Sequence, residues 1–454
     1  MSAPLRVAIV GSGPAGFYAA NDLLKRDPAS RVELFDRLPT PGGLVRSGVS
    51  PDHAARREVI ATYERLAMAS HRFRFHGNIE IGRQLTHEDL LRCHHAVIYA
   101  CGSAGDRRLG IPGEDLPGSH AATSFVSWYN GHPDFAAQSF DLSCERAIVI
   151  GNGNVALDVA RMLLLGHDRL HPTDVADHAL RAFAESRIRE VVVLGRRGAA
   201  QCAFTTPELL ELGHHDLDVR VEHAASAGAK PAGRDARAYA VQLKLRLLDE
   251  YAARAALPDA RRLVLRFLNS PLAIVGRDRV ETLRVVRNRL VSGGRGDLVA
   301  ESTGEISEIT AGLVLRAVGY RGLPVVGLPF DAARGIVPNV GGRIVGENRR
   351  PMRGAYVAGW LKRGPSGVIG TNKGCSQETV ACLLQDFAGD RLPIPDIDDQ
   401  GTQRLLTERC PDRVDYLGWK KIDRHERLGG MDQQRLRVKL VDLQRMTAVA
   451  SGRF

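Results

Sequence analysis

The feature that most narrows what this chain can fold into is a glycine turn that occurs twice. Each copy lies between a short apolar run and a stretch with helical spacing. In the first, Arg6-Val7-Ala8-Ile9-Val10 reads as a buried parallel strand, because both of its faces are apolar. It runs into Gly11-Ser12-Gly13-Pro14-Ala15-Gly16, after which Phe17 to Leu24 is apolar at helical spacing. In such a turn the first glycine permits the tight bend and the second lets backbone approach a pyrophosphate. The third lets the helix pack on the strand, its N-terminus facing the phosphates. The next strand, Arg31 to Phe35, ends at Asp36, placed to accept hydrogen bonds from ribose hydroxyls. The plainer alternative for Asp36 is a surface acid after a strand.

The pattern returns at Ala147-Ile148-Val149-Ile150, followed by Gly151-Asn152-Gly153-Asn154-Val155-Ala156 and a helical stretch from Leu157 to Leu165. Alanine in the third position still allows close helix–strand packing. Here the following strand, Glu190 to Gly195, ends in Arg196-Arg197 rather than an acid. An acid would repel a 2′-phosphate, whereas two guanidiniums clamp it through charge-assisted bonds. The second turn therefore reads as an NADP site, against the alternative of a solvated arginine pair. Two dinucleotide sites on one chain point to electron transfer, in which a flavin and a nicotinamide must meet.

At 454 residues the chain is too long for one core. Two further apolar runs, His95 to Gly102 and Gly354 to Trp360, end in glycine turns. They resemble the second and third signatures of flavoprotein reductases with two dinucleotide domains; taken alone they are ordinary buried strands. The predicted fold is α/β, with two Rossmann-like dinucleotide-binding domains and the FAD domain split by an inserted NADP domain. The expected boundaries are 1–104 and 323–454 for FAD and 105–322 for NADP. Gly- and Pro-containing stretches at Gly110 to Gly113 and Gly322 to Pro324 suit the crossovers.

The net charge of +10 favours acidic partners, or simply a solvated basic surface. The basic residues are scattered and there is no zinc-finger or RNP-type string, so nucleic acid is not expected. None of the seven cysteines forms a C-x-x-C pair, which excludes a disulfide reductase and suits a reducing compartment. The first strand begins within a few residues of Met1, and no apolar run approaches membrane-spanning length. The expectation is a soluble cytoplasmic protein without membrane insertion. No metal is expected.

Longer strings carry a resemblance. Gly42-Gly43-Leu44-Val45-Arg46-Ser47-Gly48-Val49-Ser50-Pro51-Asp52-His53 is similar to the G-L-V-R-x-G-V-x-P-D-H string of adrenodoxin-reductase-type ferredoxin–NADP⁺ reductases. Asn152 to Arg161 resembles that family's NADP helix. Gly195-Arg196-Arg197-Gly198 with Gln201, Phe204 and Glu208 resembles its 2′-phosphate segment. Gly359-Trp360 and Lys362 to Lys373 resemble its flavin-proximal segment, with Gly370-Thr371-Asn372-Lys373 in the bacterial form. Gly418-Trp419-Lys420-Lys421-Ile422-Asp423 and His425-Glu426 also fit, so the resemblance spans essentially the whole chain.

The resemblance implies that Gly11, Gly13, Pro14, Ala15 and Gly16 form the FAD pyrophosphate turn, with Asp36 on the ribose, where the family often has Glu. Gly43, Leu44 and Val49 would lie on the flavin side. Gly359, Trp360, Gly367, Val368 and Ile369 would line the isoalloxazine, the last three offering backbone N–H groups to negative charge on the ring. Asn152, Gly153, Asn154 and Val155, with Arg107, would meet the NADP pyrophosphate, and Arg196, Arg197 and Glu208 the 2′-phosphate and ribose. His53 and Glu211 match a His and a Glu near the nicotinamide, as candidates for setting charge and relaying a proton. A structural His53, capping or packing its turn, is the alternative.

The implied activity is electron transfer from NADPH through FAD, one electron at a time, to an acidic ferredoxin-type iron–sulfur protein, by a monomer. The rival is a flavoprotein that senses NADP or acts as a scaffold without turnover. Lys244-Leu245-Arg246 and Arg181 to Arg189 are candidate docking surfaces, or plain solvated helix faces.

Overall fold

The computed structural model describes residues 4–223, 236–294 and 298–453. The chain forms two compact units, one of residues 1–105, 130–133 and 320–454, the other of 106–129 and 134–319.

The first unit is built on a seven-stranded sheet in the order Asn339–Val340, Arg343–Val345, Pro351–Val357, Ala96–Tyr99, Arg6–Val10, Arg31–Phe35, Phe73–His76. Its last five strands run parallel. Side chains alternate across a strand, so each parallel strand needs apolar residues at consecutive positions to bury both faces. Val7, Ile9, Val32, Leu34 and Ile98 join Phe17, Val380 and Leu383 on one face. Ala8, Val10, Phe35, Val97 and Tyr99 join Val337, Ile344 and Leu361 on the other. The first face is covered by helices Pro14–Arg26 and Thr371–Ala388, tied together by Ser376 Oγ donating to the Ala15 carbonyl at 2.9 Å.

The second unit repeats the plan with a six-stranded parallel sheet in the order Ser119–Ala121, Leu313–Arg316, Arg146–Ile150, Glu190–Leu194, Arg262–Arg266, Asp218–Glu222. Alternation again divides its core, with Val149, Val191 and Leu315 on one side and Ile148, Val192 and Val314 on the other. A three-stranded antiparallel sheet, Asn269–Val275, Thr282–Ser292 and Leu298–Thr310, is attached to this unit. Cross-strand pairs Arg284–Glu308 and Arg289–Glu301 hold its register.

Candidate dinucleotide sites

In the first unit, the strand Arg6–Val10 delivers the chain to Gly11 at φ +108°, a conformation glycine adopts without strain. The Gly11 amide donates to the Phe35 carbonyl at 2.7 Å, and a Cβ there would stand 2.6 Å from the Ala100 oxygen. The turn is thus pinned between the two neighbouring strands. Helix Pro14–Arg26 starts with Gly13 as N-cap and Pro14 in its first turn, where a missing N–H does no harm. A Cβ on Gly16 would sit 2.0 Å from the Gly11 oxygen, so the helix can approach the turn only with hydrogen there.

Gly13 differs from both. A Cβ on it would meet nothing within 4 Å among the described residues; as N-cap it brings no side-chain hydrogen bond, and no acid occupies the first turn of the helix. That is open space in front of a positively polarised helix end, which suits a pyrophosphate. Two other predicted segments converge on it. A Cβ on Gly43, at φ +51°, would lie 3.0 Å from the Gly13 Cα; one on Gly359, at φ +72°, would lie 2.6 Å from the Ala15 Cβ. Leu44 opens the short helix Leu44–Ser47, and the Val49 amide closes back on the Leu44 carbonyl at 2.8 Å.

Asp36 is committed more closely to its own loop than its position at a strand end predicts. Its Oδ2 accepts from the Ser12 amide at 2.8 Å and the Ser12 hydroxyl at 2.5 Å, and its Oδ1 accepts from the Leu38 amide at 2.9 Å. In this structure the carboxylate therefore braces the glycine turn. His53 is buried, its amide donating to the Ser50 carbonyl at 3.0 Å.

Beyond Gly359, whose amide donates to Cys375 Sγ at 3.3 Å, the Trp360 indole N–H donates to the Ser366 carbonyl at 3.2 Å. Gly367 needs its φ of +79°, and a Cβ there would strike Thr371. The Val368 amide donates to Thr371 Oγ1 at 3.1 Å, so it already serves the turn, and the Val368 side chain is 60% exposed. Asn372 Nδ2 donates to the Ile369 carbonyl at 3.2 Å.

In the second unit, Gly151 repeats the role of Gly11: φ is +129°, its amide donates to the Leu194 carbonyl at 2.9 Å, and a Cβ would meet the Ala317 oxygen at 2.3 Å. Gly153, the N-cap of helix Asn154–Leu164, again faces open space, with no side-chain cap and no acid in the first turn. Ala156 is fully buried in the third position, and Val155 is half-buried behind it. The asparagines hold the facing loop: the Asn152 carbonyl accepts from Ala203 and Phe204 at 3.0 Å, and Asn154 Oδ1 from Thr205 at 2.8 Å.

After strand Glu190–Leu194, Arg196 is exposed and Arg197 half-buried. Arg197, Gln201 and Lys244 line a cavity of about 400 Å³. Gln201 Oε1 has no hydrogen-bond partner among the described residues, and burial raises the pKa of the adjoining Cys202 thiol. Glu208 and Glu211 share the short helix Thr206–Glu211, Glu208 buried and Glu211 half-buried. Arg107 is exposed; its amide donates to the Gly319 carbonyl at 3.1 Å. Gly319 and Ala317 both follow the strand next to Arg146–Ile150 in the sheet, so Arg107 belongs to the Gly151 end of the unit.

Lys244 corrects an expectation. On helix Ala236–Ala253 it is buried, donating to the Cys202 and Phe204 carbonyls at 3.1 and 3.2 Å, and is no docking residue; Arg246 beside it is exposed. Arg181, Arg187 and Arg189 are exposed. Among the braces, Ser12, Thr371, Cys375, Ser376 and Lys244 were not assigned to a site from sequence. Their nearness to the glycine turns or to the flavin-proximal segment was the available signal for most; Lys244 offered none.

A family model described as "Pyridine nucleotide-disulphide oxidoreductase" matches residues 5–193. The chain is 46% identical to NADPH-ferredoxin reductase FprA of Mycobacterium tuberculosis, over 99% of this chain and all of that protein. The chain belongs to the NADPH–ferredoxin reductase family. This ferredoxin–NADP reductase is also 41% identical to the mitochondrial NADPH:adrenodoxin oxidoreductase of Arabidopsis thaliana, over 99% of this chain and 96% of that one. It superposes on M. tuberculosis FprA in complex with NADPH with a TM-score of 0.92, at 45% identity over 99% of this chain and all of the other. The reductase is an FAD- and NADP(H)-binding oxidoreductase, and the open cradles at Gly13 and Gly153 fit two such dinucleotides. Among its described residues, no helix is long and apolar enough to cross a membrane.

Proposed function

We propose that the protein moves electrons from NADPH through FAD to an acidic ferredoxin-type iron–sulfur protein, working as a cytoplasmic monomer. The observation that carries this reading is the pairing of two open glycine cradles, on separate units, with Arg196-Arg197 where an NAD site would have an acid. Bound FAD supplies the step between a two-electron donor and a one-electron acceptor.

The first unit is assigned FAD and the second NADP(H). Gly11, Gly13, Pro14, Ala15 and Gly16 give the flavin nucleotide its phosphate turn. Asp36 fixes that turn through Ser12, with its remaining acceptor capacity toward the ribose. Gly43, Leu44, Val49, Gly359, Trp360 and the turn Gly367–Val368–Ile369 shape the flavin side. Asn152, Gly153, Asn154, Val155 and Arg107 receive the NADP pyrophosphate. Arg196, Arg197 and Glu208 receive the 2′-phosphate and ribose. His53, on the first unit, and Glu211, on the second, are both assigned to setting local charge and relaying a proton. The net charge of +10 supports an acidic partner, with association that weakens as salt rises.

An anaerobic titration with NADPH, followed by visible absorption and then by addition of a ferredoxin, tests the reading. A yellow protein bleached by NADPH, poorly by NADH, and reoxidised by ferredoxin is the expected result. A flavin that NADPH cannot reduce would overturn it in favour of a sensor or scaffold.

A further inference from the structure

We propose that Glu426, on helix Tyr416–Met431, is a positioning residue that sets the flavin-side segment Gly43–Val49 by gripping Arg46. The inference rests on the reading that this segment borders FAD.

The helix that carries Arg46, Leu44–Ser47, is one turn long. A single turn has too few hydrogen bonds to hold itself, so its conformation must be imposed by tertiary contacts. The contact available is a forked ion pair: Arg46 Nη1 donates to Glu426 Oε2 at 3.0 Å and Nη2 to Oε1 at 2.5 Å. The guanidinium also lies over the Trp419 ring, 5.2 Å from its centroid. Glu426 has no exposed surface, and its carboxylate also accepts from Arg437 Nη1 at 3.0 Å and the Leu440 amide at 2.9 Å. Burial alone would raise its pKa, but the charge and hydrogen bonds of Arg46, the charge of Arg437 and the Leu440 amide outweigh that and lower it.

The segment is held at two further points. Lys439 Nζ reaches the Arg46 carbonyl at 3.3 Å and Asn130 Oδ1 at 3.2 Å, and Arg57 Nη2 bridges Asn130 Oδ1 at 2.8 Å and the Val49 carbonyl at 2.5 Å. At the other end, Gly43 is packed against Gly13 of the phosphate turn, so a shift of the segment reaches that turn directly. A buried ion pair seldom beats apolar packing for stability, whereas its forked geometry fixes one orientation. Fixing the segment, rather than stabilising the fold, is therefore the role this arrangement suits.

The test uses the full-length protein with Glu426→Gln and with the double substitution Arg46→Met/Glu426→Leu, which refills the space with an apolar pair. Apoprotein melting, the FAD dissociation constant by flavin fluorescence, and the visible circular dichroism of bound flavin are measured. The double variant is expected to melt within a few degrees of the parent apoprotein, bind FAD roughly tenfold or more weakly, and alter the flavin dichroism. A double variant that folds, with parental FAD affinity and dichroism, overturns the proposal. Should Glu426→Gln fail to fold, the double variant still decides the matter. Gly13→Ala is the control: if it too leaves FAD affinity unchanged, the flavin assignment itself has failed.

Discussion

Alanine at Gly13 and at Gly16, three residues apart in one turn, should produce opposite results. At Gly16 the new methyl would stand 2.0 Å from the Gly11 oxygen, well inside the ordinary contact range of 3.4–4 Å. Helix and turn must separate, and overpacking of that kind costs about 1–3 kcal/mol. The Gly16→Ala apoprotein should therefore melt several degrees lower. At Gly13 the backbone lies at φ −76°, which alanine tolerates, and the methyl meets nothing within 4 Å. Reduced freedom of the unfolded chain gains about 0.4–1 kcal/mol, but alanine is a poorer N-cap than glycine by a similar amount, so the Gly13→Ala apoprotein should melt close to the parent. The same methyl would occupy the space assigned to the pyrophosphate. Losing one charge-assisted bond there costs about 1.5–3 kcal/mol, or roughly tenfold to a hundred and fifty-fold in affinity. Apoprotein melting by far-UV circular dichroism and FAD binding by fluorescence quenching separate the two effects. Wild-type FAD affinity in Gly13→Ala, or equal apoprotein destabilisation in both variants, would refute the reasoning.

Two more outcomes follow from side chains away from the turns. Burial would raise the Glu33 pKa, but the rings of His76, 3.6 Å away, and His94, hydrogen-bonded at 3.1 Å, hold it well below the usual range. Its contribution is therefore present above the unfolded value of about 4.3 and lost as pH falls toward the lower folded value. Glu33→Gln should destabilise the protein at neutral pH by about 3–5 kcal/mol and flatten the acid limb of a urea-midpoint profile below about pH 4.5; a limb as steep as the parent's would count against it. Lys244→Met keeps the buried stem and loses the bonds to the Cys202 and Phe204 carbonyls. It should raise KM for NADPH roughly tenfold with little change in kcat, and an unchanged KM would mean that the loop is held without it.

The parallel sheets and both cradles were legible because their signals are local. A run such as Val7 to Val10 and the glycines after it encode strand, turn and helix start within a dozen residues. What sequence could not show was pairing across distance. The place of Asp36 at a strand end suggests a ribose contact, but its second task, bracing the glycine turn through Ser12, 24 residues earlier, has no local signal. Lys244 looked like surface because a charged residue is rarely buried, and its two carbonyl partners come from a loop 40 residues earlier. The string around Trp419 and Glu426 stands out in the sequence, but nothing in it points to Arg46, 380 residues away on the same carboxylate. The antiparallel sheet Asn269–Val275, Thr282–Ser292, Leu298–Thr310 has a largely exposed outer strand, so it lacked the buried apolar run that announces the others.

The seven-stranded sheet also dictates an order of events during synthesis. Its middle strand Ala96–Tyr99 pairs with Pro351–Val357, and every residue of the second unit's sheet is made in between. At about 5–20 residues per second, Val97 waits on the order of tens of seconds for Ala355 to emerge. Throughout that interval it presents an open apolar edge, while the second unit already has its whole sequence and can close. The unit begun first is the one completed last, and a ribosome stalled before residue 351 would leave a finished domain tethered to an aggregation-prone half-sheet.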